Sequence, residues 1–195
     1  MDSRTEAERG AVDGLRVRAA GRLRALRGAG ARVREVNDGG IGPIEFDEEG
    51  LVRWGERIGA EVEVPVVIAL RGELGAGKSV LARAIARGAG VVGAMPSPTF
   101  NLVYRYDAAR GVEVWHLDLY RLEDPDDVWE LGWRELGDGA QIVLIEWPER
   151  AESLLPPDRW DVRLEPAGIA TRVVTATRRG RAPALPDPEG AGAGD

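Results

Sequence analysis

The chain contains no cysteine, which excludes disulfides and thiolate metal sites. Lysine occurs once, at Lys78, and histidine once, at His116. Chemistry that needs a second lysine or a pair of histidines is therefore excluded. Long apolar runs are also missing. The longest, such as residues 64–70, are strand-sized and fall far short of the roughly 20 residues of a membrane span. The N-terminus lacks the apolar core of a secretion signal, so no membrane association and a cytoplasmic location are expected.

What is present suits one soluble domain with tails. The length of 195 residues and a hydrophobic fraction of 44% are ample for a single core. The formal net charge is -7. That balance disfavours autonomous nucleic-acid binding, which needs basic surface to displace counterions from phosphates. The charge is uneven. Residues 1–40 hold nine Arg against six Asp and Glu, a surplus of three positives, so the rest of the chain is ten charges negative. The basic arm reads as a solvated tail, with contact to an acidic partner or RNA as the alternative.

Hydrophobic spacing divides the chain into three parts. Residues 1–43 are rich in Arg, Ala and Gly and poor in large apolar groups, with a short helix over Leu15 to Leu26; the segment is expected to be largely disordered. Residues 44–177 alternate helical and strand patterns, the signature of an α/β sheet with a partly parallel centre. Asp47 is placed to cap a helix carrying Leu51, Trp54 and Ile58. Strands are expected at Val64–Leu70, Leu102–Tyr106, Val112–Leu119, Gln141–Trp147, Trp160–Leu164 and Arg172–Thr177. Helices are expected at Ser79–Ala86 and Pro125–Leu136. Residues 178–195 are Gly, Pro and Ala-rich and read as a disordered tail. The tryptophans at 54, 129, 133 and 160 read as core or interface packing.

The sharpest motif is Gly72-Glu-Leu-Gly-Ala-Gly-Lys-Ser79, which satisfies G-x-x-x-x-G-K-[ST] at every fixed position. Its glycines let the backbone curl so that successive N–H groups point inward, and the following helix adds the positive end of its dipole. Lys78 supplies a compact charge for β- and γ-phosphates. The Ser79 hydroxyl is a hard oxygen suited to magnesium. The context supports the motif: a buried strand precedes it, an amphipathic helix follows, and the chain's one lysine stands where the chemistry demands it.

Such a loop works with an acid at the end of a neighbouring strand. Two strands qualify, Ile142-Val-Leu-Ile-Glu146 and Val114-Trp-His-Leu-Asp118. Glu146 is expected at the metal, directly or through water, and Asp118 at the attacking water or a magnesium-bound water. Thr99, in Ser97-Pro-Thr-Phe100, is a candidate sensor of the γ-phosphate. His116 reads as a packed structural residue. Trp147, beside Glu146, is placed to shield the metal site.

Four motifs in order, Gly72–Ser79, Ser97-Pro-Thr-Phe100 with Leu102-Val103, His116-Leu-Asp-Leu-Tyr-Arg-Leu122 and Glu146-Trp147-Pro148, closely resemble the bacterial TsaE (YjeE) family over about Phe46 to Val174. The family is the ATPase component of the machinery that makes threonylcarbamoyladenosine beside the anticodon of tRNA. The resemblance implies a single P-loop NTPase domain with a mixed, partly parallel sheet flanked by helices. It implies ATP contacts at Gly72 and at Leu74, Gly75, Ala76, Gly77, Lys78 and Ser79, with Glu48 and Gly168 bordering the nucleotide. It implies magnesium at Ser79 and Glu146, a role in hydrolysis for Asp118, and a switch-like segment around Thr99. It names TsaD and TsaB as partners, with tRNA reached through the complex and ATP hydrolysis resetting that complex between cycles. Serine stands where the family more often has threonine, which keeps the hydroxyl. The Arg-rich extension exceeds the family's usual start. A small-molecule or nucleoside kinase, with Asp118 as base and Arg121 as clamp, is the enzyme alternative. A non-catalytic nucleotide-gated module is the other.

Overall fold

The structure, a computed structural model, describes residues 39–188. Seven strands form one sheet in the order β1-β7-β6-β2-β5-β4-β3. In chain order these are β1 (Ile41–Asp47), β2 (Val66–Arg71), β3 (Val103–Asp107), β4 (Glu113–Asp118), β5 (Gln141–Glu146), β6 (Arg159–Pro166) and β7 (Thr171–Arg179). The four central strands β6, β2, β5 and β4 run parallel, and antiparallel pairs close both edges. Strands β2 and β5 are covered on both faces, which is why they read as unbroken apolar runs without alternation.

Two α-helices, α1 (Glu48–Glu61) and α2 (Lys78–Gly88), cover one face. Asp47 caps α1, its side chain accepting from the Gly50 N–H at 2.7 Å. Leu51, Trp54 and Ile58 of α1 pack with Leu81 and Ile85 of α2 on Ile68, Leu144, Val162 and Val174. The two helices lie very close. A Cβ placed on Gly59 would sit 2.6 Å from the Ala89 nitrogen and overlap the Ile85 carbonyl oxygen. The other face holds Val67, Val143, Ile145, Trp115 and Leu117 under Val128, Trp133 and Leu155.

That second layer departs from the sequence reading. Instead of one helix over Pro125–Leu136 there are two 3-10 segments, Pro125–Leu131 and Trp133–Glu135. Gly132, at φ 85°, takes the left-handed conformation that ends a helical turn. The break lets Trp133 drop into the core and donate from Nε1 to the Leu154 carbonyl at 2.8 Å. Trp129, one turn earlier, is left 42% exposed and is not a core residue.

Both ends of the domain also extend past the expected limits. Strand β1 begins at Ile41, because Ile44 and Phe46 alternate inward against β7. The rest of the N-terminal extension, including the helix expected over Leu15 to Leu26, lies outside the described residues. The C-terminal segment from 180 to 188 is packed and is not a free tail. Ala182 and Leu185 are buried in the main core. Trp160 and Trp54 donate their indole N–H groups to the carbonyls of Pro183 (2.7 Å) and Pro186 (3.0 Å). A buried indole requires an acceptor, and this segment supplies two of them. Residues 189–195 lie outside the described part. No described helix is long and apolar enough to cross a membrane.

Candidate nucleotide site

The carboxyl ends of β2, β5 and β4 meet at one edge of the parallel sheet, the edge where open α/β sheets bind ligands. The loop leaving β2 wraps there into α2. Gly77 stands at φ 104°, a left-handed value that only glycine adopts freely, immediately before the first residue of α2. Gly75, Gly77, Lys78 and Ser79 border a cleft of about 260 Å³, with Thr99, Asp118 and Glu146 facing them.

Register decides which acid sits where. Leu70 pairs with Glu146, and Glu146 with Asp118, so the carboxylates end adjacent strands at the same height. Strand β5 is next to β2, and Ser79 Oγ donates to Glu146 Oε2 at 2.8 Å. One strand further out, Asp118 Oδ2 accepts from Thr99 Oγ1 at 2.6 Å and lies 3.5 Å from Ser97 Oγ; its Oδ1 accepts from the Tyr120 N–H at 3.0 Å. The two acids thus have separate partners: Glu146 takes the loop serine, and Asp118 takes the Ser97–Phe100 segment.

Lys78 is folded back onto its own loop. Its Nζ donates to the carbonyls of Gly72 (2.7 Å) and Glu73 (2.9 Å) and lies 3.8 Å from the ring centroid of Trp147. Burial pushes its ammonium below the ordinary lysine range, against the opposing pull of Glu146, Glu149 and Asp118. Trp147 itself stands at φ 57°, left-handed and unusual for a bulky residue. Its ring also packs on Tyr120 at 4.9 Å. It therefore covers the lysine, and it lines the same cleft as Ser79 and Glu146, beside which the sequence set it.

Other expected residues fall differently. Leu74 lines the cleft and is 80% exposed. Ala76 is buried in the core and does not line the cleft. Gly72 borders a neighbouring hollow with Arg71 and Glu73, and neither Glu48 nor Gly168 lines the cleft. The Arg121 guanidinium lies 4.3 Å over the Phe100 ring and does not line the cleft.

One residue of this region was missed, and a second, buried as expected, has a partner the sequence did not show. Arg172 of β7 presses its side chain against the phosphate loop, with Cδ and Nε 3.4 and 3.5 Å from a Cβ placed on Gly77; its Nη1 is buried without a hydrogen-bond partner. No local motif marks it, because it lies 95 residues beyond Gly77 in the chain. His116, read as packing, places Nε2 2.8 Å from Glu146 Oε1. The signal available was an imidazole on a buried strand two residues before a candidate acid.

A second hollow, about 380 Å³, lies on the open face of β6 and β7. Its floor is Asp161, which accepts hydrogen bonds from Arg71, Arg159 and Arg179, while Glu152 takes Arg71 in a fork at 2.7 and 3.0 Å. This network ties the 3-10 segment Pro148–Leu154 to the sheet.

A phosphate loop between a central parallel strand and a covering helix, with strand-end acids facing it, defines a P-loop NTPase domain with a mixed sheet. The profile described as "Threonylcarbamoyl adenosine biosynthesis protein TsaE" matches residues 46–174. The chain belongs to the TsaE family, and thus to tRNA threonylcarbamoyladenosine biosynthesis. The TsaE protein of Haemophilus influenzae is 39% identical over 116 residues, 56% of this chain and 72% of the relative. That of Treponema pallidum is 33% identical over 132 residues, 68% of this chain and 96% of the relative. Among solved structures, Bacillus subtilis YdiB superposes with a TM-score of 0.58 at 26% identity, over 70% of this chain and 85% of that one.

Proposed function

We propose that this chain binds magnesium–ATP in the cleft between Leu74–Ser79 and the two strand-end acids, and hydrolyses it in the cytoplasm in support of a TsaD–TsaB machinery that modifies tRNA. The observation that carries this reading is the contact of Ser79 Oγ with Glu146 Oε2, 2.8 Å, beside Lys78. The donor set fits magnesium. A hydroxyl and a carboxylate are hard oxygens, and two protein ligands leave the remaining positions to phosphate and water. Bound there, the ion would neutralise charge on the β- and γ-phosphates.

The chain's own residues divide the remaining work. The loop N–H groups and the start of α2 hold the phosphates. Lys78 leaves the carbonyls of Gly72 and Glu73 for the phosphate oxygens, whose full charges attract it more strongly than neutral carbonyls do. Asp118, an acceptor at the cleft wall, orients the attacking water and takes its proton. Thr99, which donates to Asp118, moves with the Ser97–Phe100 segment, so that segment's position sets how Asp118 is aimed. Among the described residues no arginine lines the cleft. Beyond what Lys78 and the metal ion supply, further stabilisation of transition-state charge needs a cation brought in from elsewhere, and slow turnover by the isolated chain follows. A TsaD–TsaB-type partner is the proposed source of the acceleration.

The test is phosphate release by the purified chain alone, then with the partner pair and tRNA. Fast turnover that partners leave unaffected would refute partner gating, and a phosphorylated acceptor would move the reading to a kinase. Two variants separate the acids. Glu146→Gln is expected to weaken the magnesium-dependent part of nucleotide binding by about tenfold or more. Asp118→Asn is expected to spare binding and slow hydrolysis about a hundredfold or more.

A further inference from the structure

His116 occupies a position on β4 where a doubly covered strand ordinarily takes an aliphatic residue. Trp115 and Leu117 on either side face the second core cluster. His116 faces the other way, toward the α2 side, with Asp118 two residues on. Its Nε2 lies 2.8 Å from Glu146 Oε1, and both residues are 2% exposed. Glu146 Oε2 meanwhile accepts from Ser79 Oγ. The two oxygens of one carboxylate are thus held by two different groups. An ionised carboxylate only accepts, so the imidazole hydrogen belongs on Nε2.

We propose that His116 is a positioning residue for the metal-binding pair: its Nε2–H anchors Glu146 Oε1 and so turns Oε2 toward Ser79. The inference rests on reading Ser79 and Glu146 as the metal ligands. The physical need is specific to glutamate. Compared with the strand-end aspartate that holds magnesium in P-loop NTPases such as Ras, Glu146 has one more methylene and one more torsion, so an unanchored carboxylate would spread over several rotamers. The register supplies the anchor. His116 pairs with Leu144 and Asp118 with Glu146, which sets the imidazole behind the glutamate as seen from the cleft. His116 does not line the cleft, so it acts through Glu146 and not on the nucleotide. If it merely filled space, the shape of residue 116 would matter and its donor would not.

The chain's one histidine allows a direct test. Nitrogen NMR of the full chain labelled at histidine is expected to show hydrogen on Nε2; hydrogen only on Nδ1 would overturn the proposal. The second test measures manganese binding, by the paramagnetic resonance of free Mn²⁺, with a non-hydrolysable ATP analogue present. His116→Gln keeps a donor near the Nε2 position and is expected to stay within about threefold of the parent, whereas His116→Leu is expected to weaken Mn²⁺ binding by about tenfold or more. Metal-free binding of the analogue stays the same in both. Parental affinity in His116→Leu, or equal losses in the Gln and Leu variants, would overturn the proposal. Should His116→Leu not fold, His116→Asn, whose amide is too short to reach Glu146, takes its place in the same comparison. A parent protein that binds the analogue with no metal dependence would instead defeat the assignment of Ser79 and Glu146, and this inference with it.

Discussion

Adding one methyl group at Gly59 is expected to destabilise the domain and weaken its phosphate loop together. In an isolated helix, Gly→Ala is favourable by about 1 kcal/mol. Here the new Cβ would overlap the Ile85 carbonyl oxygen and stand 2.6 Å from the Ala89 nitrogen and 2.9 Å from the Gly88 carbonyl carbon. All three neighbours are backbone atoms of α2 and its C-terminal end, so no side chain can rotate away. Helix α2 would have to move as a unit. Overpacking of this kind costs about 1–3 kcal/mol, and a clash with backbone alone belongs at the upper end. Subtracting the propensity gain leaves a net loss of about 2 kcal/mol, or about 4–8 °C in melting temperature for a chain of this size. The same displacement shifts Lys78 and Ser79, which begin α2, so nucleotide affinity falls as well. Thermal unfolding and calorimetric titration of Gly59→Ala measure both effects. A melting temperature equal to or above the parent's would mean that helix propensity outweighs the close approach, and the argument from backbone contact would fail.

Other perturbations probe different parts of the molecule. Lys78→Ala is expected to lower ATP affinity tenfold or more, since hydrogen bonds from a charged group contribute about 1.5–3 kcal/mol each; undiminished affinity by titration calorimetry would remove the phosphate-loop assignment. Burial works to raise the Asp161 carboxyl, but hydrogen bonds from Arg179, Arg159 and Arg71 outweigh it and hold the group below its ordinary range. A depressed folded value stabilises fully above the unfolded value of about 4 and loses that contribution as pH falls through the folded value. Asp161→Asn should therefore lose about 3 kcal/mol near neutrality, with the gap to the parent narrowing below about pH 4. A gap in denaturant titrations that stays constant from neutral to acid would contradict this. Truncation after Gly180 removes the buried Leu185 and the carbonyls that accept from Trp54 and Trp160. A loss of about 4 kcal/mol is expected from one leucine burial and two hydrogen bonds, and a truncated chain as stable as the parent would show the segment to be peripheral.

The phosphate loop was legible because its chemistry is local. Glycines that permit the curl, a lysine and a hydroxyl at fixed offsets, and a strand before and a helix after are all contiguous in the chain. Strands β2 and β5 were legible for a related reason: burial on both faces leaves an unbroken apolar run, and a carboxylate ending such a run stands out. Asp47 announced the start of α1 through capping, again an interaction spanning three residues. Where a residue's meaning depended on neighbours distant in sequence, the reading stopped short. Pattern alone favoured a single helix over Pro125–Leu136, but seating Trp133 in the core required the turn at Gly132. The composition of residues 178–195 reads as tail, yet two tryptophans far upstream need the carbonyls of that segment.

The acids show the same division. Sequence alone could nominate Glu146 and Asp118 and propose a metal role for one and a water role for the other, because it shows two strands ending in carboxylates. It could not show which strand lies beside β2. The strand order places β5 there and β4 one step further, about 4.8 Å farther from the loop. That single spacing gives Ser79 to Glu146 and leaves Asp118 to Thr99. The same order sets His116 behind Glu146, and the start of β7, just past its connection from β6, brings Arg172 against Gly77. Parallel neighbours are joined by long crossovers, so their adjacency is settled by how the layers pack and leaves no trace at any one position in the chain.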